Sequence, residues 1–146
     1  MTSKTVEDYL EVIYELIEEK GYARTVDISS RLNVQPPSVT EMIQRMDVGG
    51  YLIYEKYRGL KLTRKGRNLA KEISDRHKTL ATFLKILGVD EEIAEVDACN
   101  IEHNVNSETM LRLTKFVEFV ENSNHDGSWI EHFKHYALTG QFLCED

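Results

Sequence analysis

Proline is nearly missing from this chain. There are two in 146 residues, and they are adjacent, Pro36 and Pro37. Proline is the residue that most strongly breaks a helix interior, so a chain this poor in it can be helical over most of its length. Glycine is sparse too, with eight residues. Cysteine is limited to Cys99 and Cys144, too few for a disulfide framework, which predicts a cytoplasmic protein with reduced thiols. No apolar run reaches eighteen residues, which argues against a membrane-spanning helix. The first residues lead straight into Val6-Glu7-Asp8-Tyr9-Leu10-Glu11, without the apolar stretch of a signal peptide. No internal repeat or low-complexity tract is visible. What is present, 41% hydrophobic and 29% charged residues, suits one ordinary globular domain, or a small domain with a helical appendage.

The net charge of −7 argues at first sight against a nucleic-acid partner, but its distribution is uneven. Residues 1–75 carry 12 Lys and Arg against 12 Asp and Glu, a balance of zero, whereas residues 76–146 carry 6 against 13, a balance of −7. Within the neutral half, Lys56, Arg58, Lys61, Arg64, Lys65, Arg67 and Lys71 form a basic run with no acid among them. A solvated face is the ordinary explanation of such a run. A basic segment beside an acidic, histidine-containing half also suits DNA on one side and cations on the other.

Hydrophobic spacing predicts the elements. Val6, Leu10, Ile13 and Leu16 or Ile17 follow the three-and-four spacing of a helix over about 6–20, stopped by Gly21. A short helix begins after Thr25, with Ile28 and Leu32 inward. A turn runs through Pro36, and a third helix starts at Pro37 with Val39, Ile43 and Met46 on one face, ending at Gly49 and Gly50. Residues 51–56 and 60–63 read as two strands around a turn containing Gly59. Thr63 is placed to cap a long helix reaching about Leu87, with Leu69, Ile73, Leu80 and Leu84 available for burial. Further helices are expected over about 91–105, from Ser107 as a cap, and over about 128–142. The fold class is therefore mainly α: an N-terminal winged helix-turn-helix with a two-stranded hairpin over 1–72, then a helical region over 73–146.

In a helix-turn-helix the helix after the turn enters the major groove. Gln35, Pro37, Ser38, Thr40, Glu41 and Gln44 are its candidate contact positions. Ser38, Thr40 and Gln44 suit base edges or phosphates, and Glu41 suits a cytosine amino group or an ion pair with Arg45. The hairpin residues Lys56, Tyr57 and Arg58 give the wing a positive tip for the phosphate backbone. Arg64 and Lys65 extend the same charge.

The acidic half carries a sharper pattern. Cys99, Glu102 and His103 are spaced i, i+3, i+4, which on a helix puts a thiolate, a carboxylate and an imidazole on one face. Asp8 and Glu11 repeat the i, i+3 spacing on the first helix, opposite its apolar stripe or at its edge, and His77 lies midway along the long helix. Each alone reads more simply as a wet surface group. Together they supply three carboxylates, two imidazoles and a thiolate, enough for one or two octahedral-like metal sites. Carboxylate and imidazole suit Mn²⁺ and Fe²⁺, and a thiolate moves preference toward Fe²⁺, Co²⁺, Ni²⁺ or Zn²⁺.

A resemblance to a known family joins these readings. Residues 6–14 (VEDYLEVIY), 18–24 (EEKGYAR), 51–60 (YLIYEKYRGL), Leu62 and Thr63 with Lys65 and Gly66, and 101–103 (IEH) resemble the diphtheria toxin repressor family of metal-dependent transcriptional regulators, most closely its short manganese transport regulator branch. The resemblance covers about residues 5–120. It implies a homodimer with an N-terminal winged helix-turn-helix and a C-terminal helical metal-binding and dimerisation domain, binding double-stranded operator DNA and repressing metal-uptake genes when loaded with Mn²⁺ or Fe²⁺, one or two ions per subunit. No membrane and no small organic ligand are implied as partners. It further implies that Asp8, Glu11, His77, Glu102 and His103 are ligands. The remaining position is a glutamate in the manganese branch and is Cys99 here, as in the iron-responsive branch. That branch carries methionine where this chain has Asp8, so the ligand set is mixed. Ala81 stands where the iron branch has a glutamate of an ancillary site.

The expected mechanism is electrostatic. Without metal, the negative groups of the first helix and of the C-terminal half repel, and a cation removes the repulsion and fixes the recognition helices. Three other readings compete: a DNA-binding regulator of another divalent metal, one of redox state through Cys99, or a small di-metal hydrolase. A hydrolase has no use for the basic run and the helix-turn-helix order, so the expectation is that the protein is not an enzyme.

Overall fold

The computed structural model describes residues 2–55, 58–122 and 127–143. The element order is α1 (Lys4–Lys20), α2 (Thr25–Leu32), α3 (Pro36–Val48), β1 (Leu52–Glu55), β2 (Gly59–Leu62), α4 (Arg64–Ile86), α5 (Glu91–Ile101), α6 (Ser107–Asn122) and α7 (Ser128–Thr139). The expected mainly helical architecture, a winged helix-turn-helix followed by helices, is the one observed. The chain divides into two compact units, residues 1–77 and 78–146.

In the first unit α1 starts at Lys4, one half-turn earlier than its apolar spacing suggests, because Ser3 caps it: the serine oxygen accepts a bond of 3.3 Å from the Val6 amide. Both prolines lie in the first turn of α3, where the missing amide costs nothing. The third helix therefore begins at Pro36 and not at Pro37. The core joins Leu10, Ile13 and Leu16 of α1, Ile28 of α2, Val39, Ile43 and Met46 of α3, Leu52 and Leu60 of the hairpin and Ala70 of α4. Each large side chain here contributes about 1.5–3 kcal/mol by leaving water. Together they hold α1, α2, α3 and the hairpin in one core.

The hairpin is antiparallel, with Leu52 opposite Leu62, Ile53 opposite Lys61, Tyr54 opposite Leu60 and Glu55 opposite Gly59. Thr63 joins it to α4. Its amide donates to the Tyr51 carbonyl at 3.1 Å, its hydroxyl donates to the Gly50 carbonyl at 2.6 Å, and that hydroxyl accepts from the Gly66 amide at 3.1 Å. Gly66 lies flat on the Tyr51 carbonyl, where any Cβ would overlap the oxygen. The close approach explains why the capping turn reads Thr63-Arg64-Lys65-Gly66.

The second unit has a smaller core, of Leu80 and Ala81 from α4, Ala98 from α5 and Met110 from α6, with Val105 and Leu113 against it. Ala81 is thus a packing residue. Phe83 meets Phe116 edge to face at 5.9 Å, and Trp129 of α7 meets both Phe116 and Phe119. Leu87 and Ile93 are exposed in the single chain, as are Val96, Leu111 and Phe119.

Three boundaries differ from the sequence expectation. α5 ends at Ile101, not near residue 105, because the Asn104 amide bonds the Ile101 carbonyl at 2.9 Å and tightens the chain out of the helix. The cap of α6 is Asn106, not Ser107: its side-chain oxygen accepts from the Glu108 amide at 2.9 Å. α7 stops at Gly140, short of Phe142. Among the described residues no helix is long and apolar enough to cross a membrane.

Candidate metal centre and nucleic-acid interface

The first unit carries half of the candidate ligands. One turn of α1 presents Asp8 and Glu11, which offer carboxylate oxygens within 4.8 Å of each other. Glu11 is buried. It therefore lies at the inner edge of the helix, beside the apolar stripe, and not on a wet outer face. His77 of α4 brings its Nδ1 to 3.9 Å from Glu11 Oε1, with only 17% of its side chain exposed. A carboxylate and an imidazole removed from water in this way cost free energy unless something compensates the charge.

The second unit carries the other half. Glu102, the cap residue of α5, keeps helical dihedrals, and His103 belongs to the following turn. The expected single helix face is thus completed by a turn and not by continued helix. His103 Nε2 lies 3.4 Å from Glu102 Oε1, and both side chains are almost wholly buried, at 2% and 0% exposure. Cys99 is exposed and offers its Sγ within 4.8 Å of a Glu102 oxygen. Each unit therefore pairs a buried carboxylate with an imidazole and adds one further donor, the Asp8 carboxylate in the first and the Cys99 sulfur in the second. These donors, oxygen, imidazole nitrogen and one sulfur, fit a divalent first-row cation.

The candidate DNA-contact positions Gln35, Pro37, Ser38, Thr40, Glu41 and Gln44 are all exposed. Glu41 is paired with Arg45 at 3.0 Å, which offsets a carboxylate on the surface that would meet phosphates. Thr40 donates its hydroxyl to the Pro36 carbonyl at 3.2 Å. Arg58 is 80% exposed by side chain and lies 3.7 Å from Glu55. Lys56 and Tyr57 lie outside the described residues. Lys65 is occupied structurally, donating to the Gly49 carbonyl at 3.1 Å and lying 4.4 Å from the centroid of the Tyr51 ring. A cleft of about 260 Å³, for which the sequence gives no signal, opens beside Thr5 and Tyr9 of α1 and Ser38 and Met42 of α3. Burial raises the Tyr9 phenol above its ordinary pKa.

Comparison with known proteins fits both parts. Residues 1–60 match the family described as iron dependent repressor, N-terminal DNA binding domain, and residues 63–131 match iron dependent repressor, metal binding and dimerisation domain. An HTH-type transcriptional regulator MntR from Bacillus pumilus is 51% identical over 124 residues, covering 85% of this chain and 86% of the relative. Among solved structures, the manganese regulator SloR is 30% identical with a TM-score of 0.69, and the metal-dependent transcriptional regulator MtsR is 30% identical with a TM-score of 0.72. Both alignments cover 78% of this chain and 54% of the other, so the chain spans about half the length of those two proteins. A basic-winged helix-turn-helix, buried carboxylate–imidazole pairs and matches over both halves lead to one conclusion: the chain belongs to the iron-dependent repressor family, and is a metal-dependent, DNA-binding transcriptional repressor rather than an enzyme.

Proposed function

We propose that the protein senses Mn²⁺ or Fe²⁺ through Asp8, Glu11, His77, Cys99, Glu102 and His103, taking one or two ions per subunit. When loaded, it binds operator DNA as a homodimer and represses metal-uptake genes in the cytoplasm. In this reading residues 1–72 bind DNA and residues 73–146 serve metal binding and dimerisation. The observation that carries it is the pair of buried carboxylate–imidazole contacts, Glu11 with His77 and Glu102 with His103. The Asp8 and Glu11 carboxylates, within 4.8 Å of each other, repel when ionised, and a bound cation supplies the positive charge that compensates them. Asp8 and Glu11 share α1 with Leu10 and Ile13, which belong to the same core as Val39 and Ile43 of α3. Metal occupancy at these carboxylates therefore acts on the element that braces α3. Gln35, Pro37, Ser38, Thr40, Glu41 and Gln44 then read the major groove, and Lys56, Tyr57 and Arg58 hold the backbone.

Cys99 favours a second reading, response to a softer ion such as Co²⁺ or Zn²⁺, because it places an exposed thiol beside Glu102. Gel-shift titration with Mn²⁺, anaerobic Fe²⁺, Zn²⁺ and Co²⁺, for wild type and Cys99→Glu, separates the two. The first reading expects Mn²⁺ or Fe²⁺ to drive the shift in wild type. A shift driven by Zn²⁺ or Co²⁺ alone would replace it with the second.

A further inference from the structure

Five of the basic residues described in the first unit are engaged by carboxylates. Lys20 pairs with Asp27, Arg31 with Glu19 and Glu15, Arg45 with Glu41, Arg58 with Glu55 and Arg76 with Glu72. Arg24 differs. No ion pair involves it among the described residues. Its guanidinium carbon instead lies 4.7 Å from the centroid of the exposed Tyr22 ring. A ring holds a guanidinium by its face, so the N–H groups, which lie in the guanidinium plane, keep their directions open. The contrast with Lys65 is informative: it also lies over a ring, but spends a donor on the Gly49 carbonyl.

The position of Arg24 matters as much as its partner. It is the residue immediately before α2, the leading helix of the helix-turn-helix, and no side chain caps the amides of that first turn. In helix-turn-helix proteins the leading helix crosses the DNA backbone, and the positive end of a helix adds to a nearby cation. The wing reaches the same segment. Gly59, next to Arg58, faces the Ala23 carbonyl, from which a Cβ would be only 4.0 Å away.

We infer that Arg24, preset on Tyr22, is a phosphate clamp that grips one operator phosphodiester per subunit in concert with Arg58 of the wing. It contributes affinity and register without reading sequence. The inference rests on the DNA-binding reading and is independent of which metal is sensed.

The test uses a duplex enriched from a random 30-base-pair library by the Mn²⁺-loaded full chain, with binding measured as a function of salt. Arg24→Gln lowers the slope of log K against log salt by about 0.9 per subunit, the value for one lost phosphate contact, and weakens selected and random duplexes alike. Arg24→Lys keeps the slope. Tyr22→Leu keeps the slope and weakens binding, since the charge remains but is no longer preset. An Arg24→Gln slope equal to that of wild type, in protein with an unchanged unfolding midpoint, overturns the clamp. Failure of the wild type to enrich any duplex overturns the DNA-binding reading itself, and the clamp with it.

Discussion

His77 Nδ1 stands 3.9 Å from Glu11 Oε1, an imidazole of α4 against a buried carboxylate of α1. A pair of this kind gives little stability by itself, since burying the charges offsets their attraction. It is a poor investment for folding and a good one for binding a cation.

Glu11→Leu should therefore separate stability from sensing. In a variant that also carries His77→Leu, so that both partners of the buried pair become apolar, the unfolding midpoint without metal should equal or exceed that of wild type. With Mn²⁺ at a hundredfold excess over its dissociation constant, wild type should gain about 2.7 kcal/mol of stability, a gain the variant should lose. Thermal unfolding with Mn²⁺ and with a chelator measures both. A variant stabilised by metal as much as wild type would remove Glu11 from the ligand set.

Gly66→Ala should be severely destabilising although it adds one methyl group. The new carbon would overlap the Tyr51 carbonyl oxygen, which accepts the Thr63 amide. Overpacking against main chain that cannot move aside costs about 1–3 kcal/mol. Chemical denaturation should show a lower midpoint, and a midpoint equal to wild type would contradict the packing described at the hairpin–α4 junction.

The link between α1 and α2 should depend on pH. Arg31 donates to Glu19 at 2.7 Å, and this hydrogen bond holds the Glu19 carboxyl below its ordinary pKa. A carboxyl lowered on folding stabilises the folded state above its unfolded pKa, and that stabilisation is lost as pH falls through the folded value. Glu19→Gln should therefore lower Tm slightly at neutral pH, and the difference should close in acid, below the usual carboxylate range. A difference constant from neutral to acid pH would rule out the charge as its source.

How much of this was legible in the sequence depended on whether a signal was local. The apolar stripes of α1 and α3, the turn at Pro36 and the Thr63 cap follow from spacing and capping chemistry, and the winged helix-turn-helix follows from their order. The family resemblance supplied Asp8, Glu11 and His77 as partners in function, which no spacing in the chain would do. The end of α5 has no local signal, since residues 102–105 carry no proline or glycine to mark a stop and the tightening comes from an Asn104 main-chain bond. Asn106 and Ser107 are both good caps, and only the bond from the Glu108 amide to Asn106 decides between them. The burial of Glu11 was equally invisible, since a carboxylate at i+3 from another reads as surface until the packing around it is known.

The central claim is that metal held by these donors switches on DNA binding. The most direct test is gel-shift affinity for the selected duplex with and without Mn²⁺ or anaerobic Fe²⁺, in wild type and His103→Ala, alongside a sedimentation measurement of the dimer. The account predicts that metal strengthens binding by wild type, that His103→Ala loses the response, and that both proteins remain dimers. A His103→Ala dimer whose DNA affinity rises with metal as much as that of wild type would contradict it.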